Sequence, residues 1–367
     1  AKERDETVYN RLQSSGIAFH TFKDQVIFEN LEIISQAGTP YRKFTPYKNT
    51  WLKKLTNHDI ITFQPKSTNL TPIKQLGKFV QCLSLIQIGF KNTKLWLHPG
   101  EEAASKRLAA FLNKIDMYDK HRDLPEVDGT SGLSVHLRFG TISIRSLVRA
   151  AYKRKSQGAQ LWLSELIWRD FYQMILNLYP VVVEETFLPQ FKQLKWPGTN
   201  SHFIAWKKGI TGYPIIDAAM RHFNKTGWMH NRLRMIVASF LVKDLLVDWR
   251  KGEAYFSRYL LDYDLAANNG GWQWCASTGC DAQPWFRIFN PITQSKRFDF
   301  KGNFIRQVLP EVANFSNKDI HFPAATSMET QKSSGCIIGK NYPKPIVEHS
   351  VQREQILSFF NKSKTHK

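Results

Sequence analysis

Cysteine is scarce in this chain: Cys82, Cys275, Cys280 and Cys336 are the only four among 367 residues, and no CxxC pair occurs. That argues against a disulfide framework and a zinc site, so no metal is expected and a reducing, cytoplasmic setting is the default. Cys275 and Cys280 lack a second Cys or His pair nearby and read as packing residues. No apolar run reaches membrane length and no signal peptide is present, so no membrane association is expected. The phosphate signatures GK[ST] and GxGxxG are missing, as are HExxH and any Ser-His-Asp order, which leaves no hydrolase candidate. No repeat of solenoid length occurs. Acidic residues are also short: 31 Asp+Glu against 51 Lys+Arg give a formal net charge of +20. Such a balance favours a polyanionic partner, whether DNA, RNA or an acidic membrane surface, and charge alone does not separate these.

What the chain does have is apolar and aromatic text. Apolar residues make up 42%, and 11 Trp and 25 Phe stand among them. The length favours two domains. Residues 1–40 read as a helix with Val8 and Leu12 on one face, then the apolar runs "IAFHTF" and "QVIFE", which is the helix-then-strand order of an α/β unit. Residues 41–98 read as a connector with one short helix. From residue 99 onward the text is mostly helical. "TISIRSLVRAAYK" opens on a Thr suited to an N-cap. "LWLSELIWRDFYQMILNLYP" stops at Pro180, and "RLRMIVASFLVKDLLVDWRKG" reads as one helix closed by Gly252. From "NNGGWQW" to "ITQSKRF" the text looks irregular, and the final "SKTHK" looks frayed.

Helical spacing groups chemistry at two places. Glu165, Trp168, Arg169 and Tyr172 fall at i, i+3, i+4 and i+7 and share a face. A carboxylate, an indole, a guanidinium and a phenol suit a flat, polar, anionic ligand, but a solvated face with a Glu–Arg pair fits as well. In "GWMHNRLRM", Trp228, Asn231, Arg232 and Met235 share a face, or form an ordinary helix start with basic residues outside. Arg234 points elsewhere and, if buried, needs a carboxylate, for which Asp262 and Asp264 are the candidates. "GTSGLS", Gly129–Ser134, carries small and hydroxyl residues before a helical run, suited to phosphate or simply to a capped loop. The Gly pair of "NNGGWQW" lets backbone approach something closely, while Trp272 and Trp274 could stack on a ligand or fill a core.

These motifs, in this order and over nearly the whole chain, resemble the cryptochrome/photolyase family, most closely its class I cyclobutane pyrimidine dimer photolyases. The resemblance implies a mainly α fold: a helical FAD-binding domain preceded by an α/β, Rossmann-like antenna domain. It implies light-dependent repair of pyrimidine dimers, with an electron passing from excited FADH⁻ to a flipped-out dimer in UV-damaged DNA. By the same resemblance Tyr118, Thr130, Ser131, Gly132, Leu133, Ser134, Arg234, Asp262, Tyr263 and Asp264 contact FAD, and Asn268 faces flavin N5. Glu165, Trp168, Tyr172, Asn231, Met235 and Trp274 form the dimer pocket, with Gln294 also on the DNA side. Arg122, Arg169, Arg232 and Arg287 belong to the phosphate rim, which sets affinity and its salt dependence. Trp272, Trp249 and Trp196 form the tryptophan relay.

The family's 6-4 photolyases carry His where this chain has Asn231 and Met235, so dimer repair is implied. Asn268 and Trp274 argue against the alternative, a cryptochrome-like blue-light receptor without repair. A flavin-free nucleic-acid-binding module rests on charge alone. The family has on the order of a hundred residues before the position of Ala1, the bulk of a doubly wound domain. Residues 1–40 are therefore expected to be the last part of the antenna domain, which weakens the expectation of an antenna folate or deazaflavin. A monomer, associated with the nucleoid when on DNA, completes the expectation.

Overall fold

The computed structural model of the chain describes residues 2–63, 71–72, 75, 83–91 and 95–362. Cys82, part of the connector and the tail 363–367 lie outside that set. The N-terminal half runs α1 (Lys2–Ser14), α2 (Phe44–Lys54), α3 (Glu101–Leu112), α4 (Tyr118–His121), α5 (Ser134–Phe139), α6 (Ile144–Tyr152) and α7 (Gln157–Leu178). Then come α8 (Asn200–Lys208), α9 (Pro214–Thr226), α10 (Asn231–Ser239), α11 (Trp249–Tyr259) and α12 (Leu265–Ala276). α13 (Pro291–Phe298), α14 (Asn303–Val308), α15 (Met328–Ser333) and α16 (His349–Lys362) complete the order.

Two large apolar cores organise most of these helices, and a smaller one of Phe191, Leu246, Ile356 and Phe360 seats α16. One gathers Phe44, Tyr47 and Trp51 of α2, Leu147 and Val148 of α6, and Trp162, Ile167 and Phe171 of α7. The other gathers Ile216 and Phe223 of α9, Leu233 and Val237 of α10, Phe256 of α11 and Trp272 of α12. α7 and α12 pack against each other where the two cores meet. Ser156 caps α7 by accepting from the Ala159 N–H, and Asp264 caps α12 by accepting from the Ala267 N–H. Each cap satisfies a donor that the first helical turn leaves orphaned.

The structure corrects the sequence reading at several points. No strand forms in residues 17–28; among the described residues only isolated bridges occur, Ile34–Pro40 and Ile338–Tyr342. A strand needs a neighbour for its backbone groups. Here the Ile27 and Phe28 N–H groups instead donate to the Asp170 carboxylate of α7 at 3.1 and 3.4 Å, and the Trp51 indole joins them at 3.0 Å. α1 is helical as expected but buries no residue. The N-cap of α6 is Ser143 rather than Thr141, whose hydroxyl pairs with His136.

The segment expected as one helix to Gly252 breaks in its middle. α10 passes into a π-helical turn, Phe240–Asp244, Leu246 takes a left-handed φ of 53°, and Asp248 caps a new helix. Gly252 lies inside α11 rather than at a helix end, and glycine is needed there because a Cβ would fall 2.2 Å from the Trp272 ring. The stretch from "NNGGWQW" also turns out helical. Gly270 is required by the Tyr172 ring, 2.3 Å from where its Cβ would be, and "ITQSKRF" forms most of α13.

Candidate active site

A cavity of about 420 Å³ opens between α7, α10 and α12. The face read from α7 points into it whole: Glu165, Trp168, Arg169 and Tyr172 all line the wall. Asn231, Arg234 and Met235 enter from α10, and Asn268, Trp272 and Trp274 from α12. Trp168 is fixed in plane by Phe44, whose ring stacks on it at 3.7 Å and 7°. Gly271 also lines the cavity, with open space where a side chain would begin. Trp228, expected to share the Asn231 face, precedes the helix and meets Trp96 instead, 5.5 Å between ring centres.

Charge in the cavity is organised in pairs. Arg234 reaches Asp262 through Nη2 at 2.8 and 3.1 Å, and its Nε donates to the Met229 carbonyl. Asp262 keeps 3% of its side chain exposed and so depends on that cation. Asp264, the cap of α12, also accepts from Gln173 at 2.9 Å. Arg122 holds Glu165 at 2.6 Å, and Arg232 holds Asp123 at 2.9 Å with its guanidinium 4.2 Å over Phe298. Arg169 donates to the Gln25 carbonyl. Of the expected phosphate rim, then, Arg122, Arg169 and Arg232 are engaged within the protein, while Arg287 is exposed.

Two residues that spacing did not reveal shape the polar wall. Glu253 accepts from the Asn268 amide nitrogen at 2.9 Å and from the Tyr263 hydroxyl at 3.3 Å. With its N–H₂ held there, Asn268 has its carbonyl oxygen left as an acceptor for an N–H in the cavity. Asp123, the partner of Arg232, follows Arg122 directly in "HRDLP"; that carboxylate beside an arginine was the available signal.

The other expected residues lie around this centre. Ser134 lines the cavity, while Thr130, Ser131, Gly132 and Leu133 form the loop leading to it. Arg107 clamps that loop by donating to the Ser131 and Thr130 carbonyls, and Gly132 adopts φ +62° beneath its guanidinium. Tyr118 is buried beneath Arg122, and burial raises its phenol well above the ordinary range. Gln294 has a buried Oε1 without a partner. Trp249 is fully buried and Trp196 partly; among the described residues neither makes a ring contact with Trp272 or with the other.

His230, unassigned by spacing, is the N-cap of α10: its Nδ1 accepts from the Arg232 N–H at 3.1 Å. Burial pushes its pKa down to about 4, against the pull of Asp123 and with the help of Arg232, Arg234 and Arg122. A depressed folded pKa gives stability that is present above the unfolded value of 6.5 and drains as pH falls toward 4. Over that window this one cap should lose up to about 3 kcal/mol. His230→Asn keeps a capping oxygen without the titration, so its denaturant midpoint should fall less between pH 7 and 5. Equal losses in both proteins would refute the cap as the acid-sensitive point.

The donor set fits a flat heteroaromatic cofactor: indole and aliphatic walls, an arginine–aspartate pair, a free amide oxygen and a glycine that leaves room. Comparison with known proteins agrees. Residues 162–362 match the FAD binding domain of DNA photolyase, and residues 1–68 match the DNA photolyase family. The chain is 43% identical over 369 residues to the deoxyribodipyrimidine photo-lyase of Salmonella typhimurium, spanning 98% of this chain and 75% of that one. It is 40% identical to the Escherichia coli protein of the same name over 375 residues, covering 100% and 77%. Among solved structures, a class III photolyase from Agrobacterium tumefaciens superposes with a TM-score of 0.88 at 34% identity, covering 99% of this chain and 77% of the other. A Synechocystis cryptochrome superposes at 0.82 with 27% identity, covering 97% and 76%.

Proposed function

This chain belongs to the DNA photolyase family, and on that premise we propose how its residues serve the light-driven repair of pyrimidine dimers in DNA. FAD is the cofactor; bound in reduced form it supplies light absorption and the electron that opens the dimer. Arg234, Asp262 and Asn268 hold its ring system, with the Asn268 oxygen accepting an N–H. Tyr263 and Asp264 support that side, while Tyr118 and the loop Thr130–Ser134 hold the remainder. Trp168 and Trp274 form an apolar aromatic wall for the fused pyrimidines, and the desolvated site keeps water from the reacting ring. Glu165 accepts a hydrogen bond from a pyrimidine edge, which requires part of its hold on Arg122 to loosen. Asn231 and Met235 complete the pocket and bring no group that titrates near neutral pH. This favours cyclobutane dimers, whose splitting needs an electron and no proton, over lesions that require proton transfer.

Arg287 on the exposed rim, joined by Arg122, Arg169, Arg232 and Gln294, engages the phosphates and flanking nucleotides. We assign residues 1–40 to the end of an antenna domain, 41–98 to a connector and 99–367 to the catalytic domain, working as a monomer in the cytoplasm. Among the described residues no helix is long and apolar enough to cross a membrane.

What carries this reading is that one cavity holds both constellations, Glu165, Trp168 and Trp274 together with Arg234, Asp262 and Asn268. The test is to illuminate a thymine-dimer oligonucleotide with blue or near-UV light in the presence of the reduced, flavin-loaded protein. Restoration of intact thymines in the light but not in the dark is expected. A flavin-loaded protein that restores none would overturn this reading.

A further inference from the structure

We infer that Trp272 has a second outlet for electron supply, running through Trp206 and Tyr255 to a surface tyrosine, Tyr259. It rests on the family reading that makes Trp272 the cavity-side member of the tryptophan relay, a place that its position in the cavity wall supports. The rings touch in series. Trp272 meets Trp206 at 6.0 Å between ring centres, Trp206 meets Tyr255 at 5.8 Å, and Tyr255 meets Tyr259 at 4.8 Å. Each ring in this series is an indole or a phenol, the side chains most readily oxidised by one electron. Trp249, by contrast, makes no ring contact with Trp272 among the described residues.

The environments grade the chain outward. Trp206 is fully buried and its indole N–H is held by the Val237 carbonyl at 3.0 Å, so it cannot shed that proton to solvent and a hole on it stays mobile. Tyr255 donates its hydroxyl to the Asn224 amide oxygen at 2.7 Å, and the Lys207 ammonium lies 5.8 Å over its ring. A cation there and an amide that does not accept the phenolic proton keep Tyr255 from being oxidised, so its ring serves as a bridge between Trp206 and Tyr259. Tyr259 is 50% exposed and can release its proton to water. The i, i+4 spacing on α11 is what brings the two phenols together.

Light drives one electron from Trp272 to the oxidised cofactor. An electron from Trp206 refills the first vacancy, and one from Tyr259, crossing the Tyr255 ring without oxidising it, refills the second. Tyr259 loses one electron and its phenolic proton, leaving a neutral phenoxyl radical. A soluble thiol returns a hydrogen atom to it, and the thiyl radicals pair as disulfide.

The experiment uses the full chain with oxidised FAD, ring-deuterated tyrosine and dithiothreitol under blue light. It reads freeze-trapped electron paramagnetic resonance and the rate at which the flavin bands bleach. The expected result is a radical signal narrowed by deuteration, present in Trp249→Phe and absent in Trp249→Phe/Tyr259→Phe. Bleaching should be at least threefold slower in the double variant. Tyr259 is at the surface, so this substitution does not threaten the fold. No tyrosine radical, or equal bleaching in the two variants, would overturn the branch alone. Bleaching that survives Trp272→Phe would overturn both the branch and the reading on which it rests.

Discussion

Arg234→Met is expected to strip the protein of its cofactor and to lower its stability by about 3 kcal/mol, the low end of the range for breaking a buried ion pair. The low end applies because Arg234 keeps 27% of its side chain exposed, while Asp262 keeps 3%. The loss comes mainly from Asp262, left charged in a site that cannot solvate it. Arg234 also ties the Met229 carbonyl to α10, so its removal frees the turn that positions His230 and Asn231. Two readouts separate these contributions. Denaturant melts give the stability, and the ratio of flavin to protein absorbance in purified protein gives the occupancy. Arg234→Met/Asp262→Asn should recover most of the stability, because no charge is stranded, and still bind flavin poorly. If that double variant regains flavin together with stability, the pair is only a structural brace.

The pairing of Arg234 with Asp262 is legible in the sequence itself, because a guanidinium on the inner face of a helix demands a carboxylate and "DYD" offers two. The α7 face is legible for a similar reason: 3.6-residue periodicity places Glu165, Trp168, Arg169 and Tyr172 together whatever surrounds them. Periodicity fails where the contact is long-range. Glu253 and Asn268 sit on different helices, and nothing in their spacing announces that Glu253 orients the amide. It fails again where a neighbour changes the meaning of a residue. Gly252 reads as the end of a helix, yet it is the residue that the Trp272 ring of another helix requires, whereas the close approach read for the Gly270–Gly271 pair is legible and is made at Gly270 by the Tyr172 ring. The apolar runs at 17–28 read as strands because alternation is local, whereas a strand is defined by a partner, and the segment instead docks on Asp170. The π-helical turn at Phe240–Asp244 belongs to the same class. It turns Lys243 and Asp244 inward, to Ser277 at 3.0 Å and His349 at 2.5 Å, partners that lie far along the chain.

Trp274→Ala should reduce binding of dimer-containing DNA by about 10- to 100-fold, with flavin content unchanged, since stacking on an aromatic side chain contributes roughly 1–3 kcal/mol per base. That outcome depends on Trp274 being a wall of the cavity and not part of its frame. Its neighbour two residues back, Trp272, also touches the cavity but is 3% exposed and packs on Phe256 at 5.1 Å, so it is mainly part of the core. Trp274 is only partly buried and lines the open space. Across the cavity Trp168 already has one face covered by Phe44, so its other face remains for a ligand. Two indoles, one of them rigidly backed, can hold a bulky apolar lesion that has left the stack, and a single indole holds it less well. Binding of undamaged DNA should change little, because it relies on phosphate contacts at the rim. The expected signature is therefore a collapse in the ratio of damaged to undamaged affinity at constant salt dependence. A parallel loss for both DNAs, or loss of flavin along with lesion binding, would place Trp274 in the frame of the protein and leave the lesion to other residues.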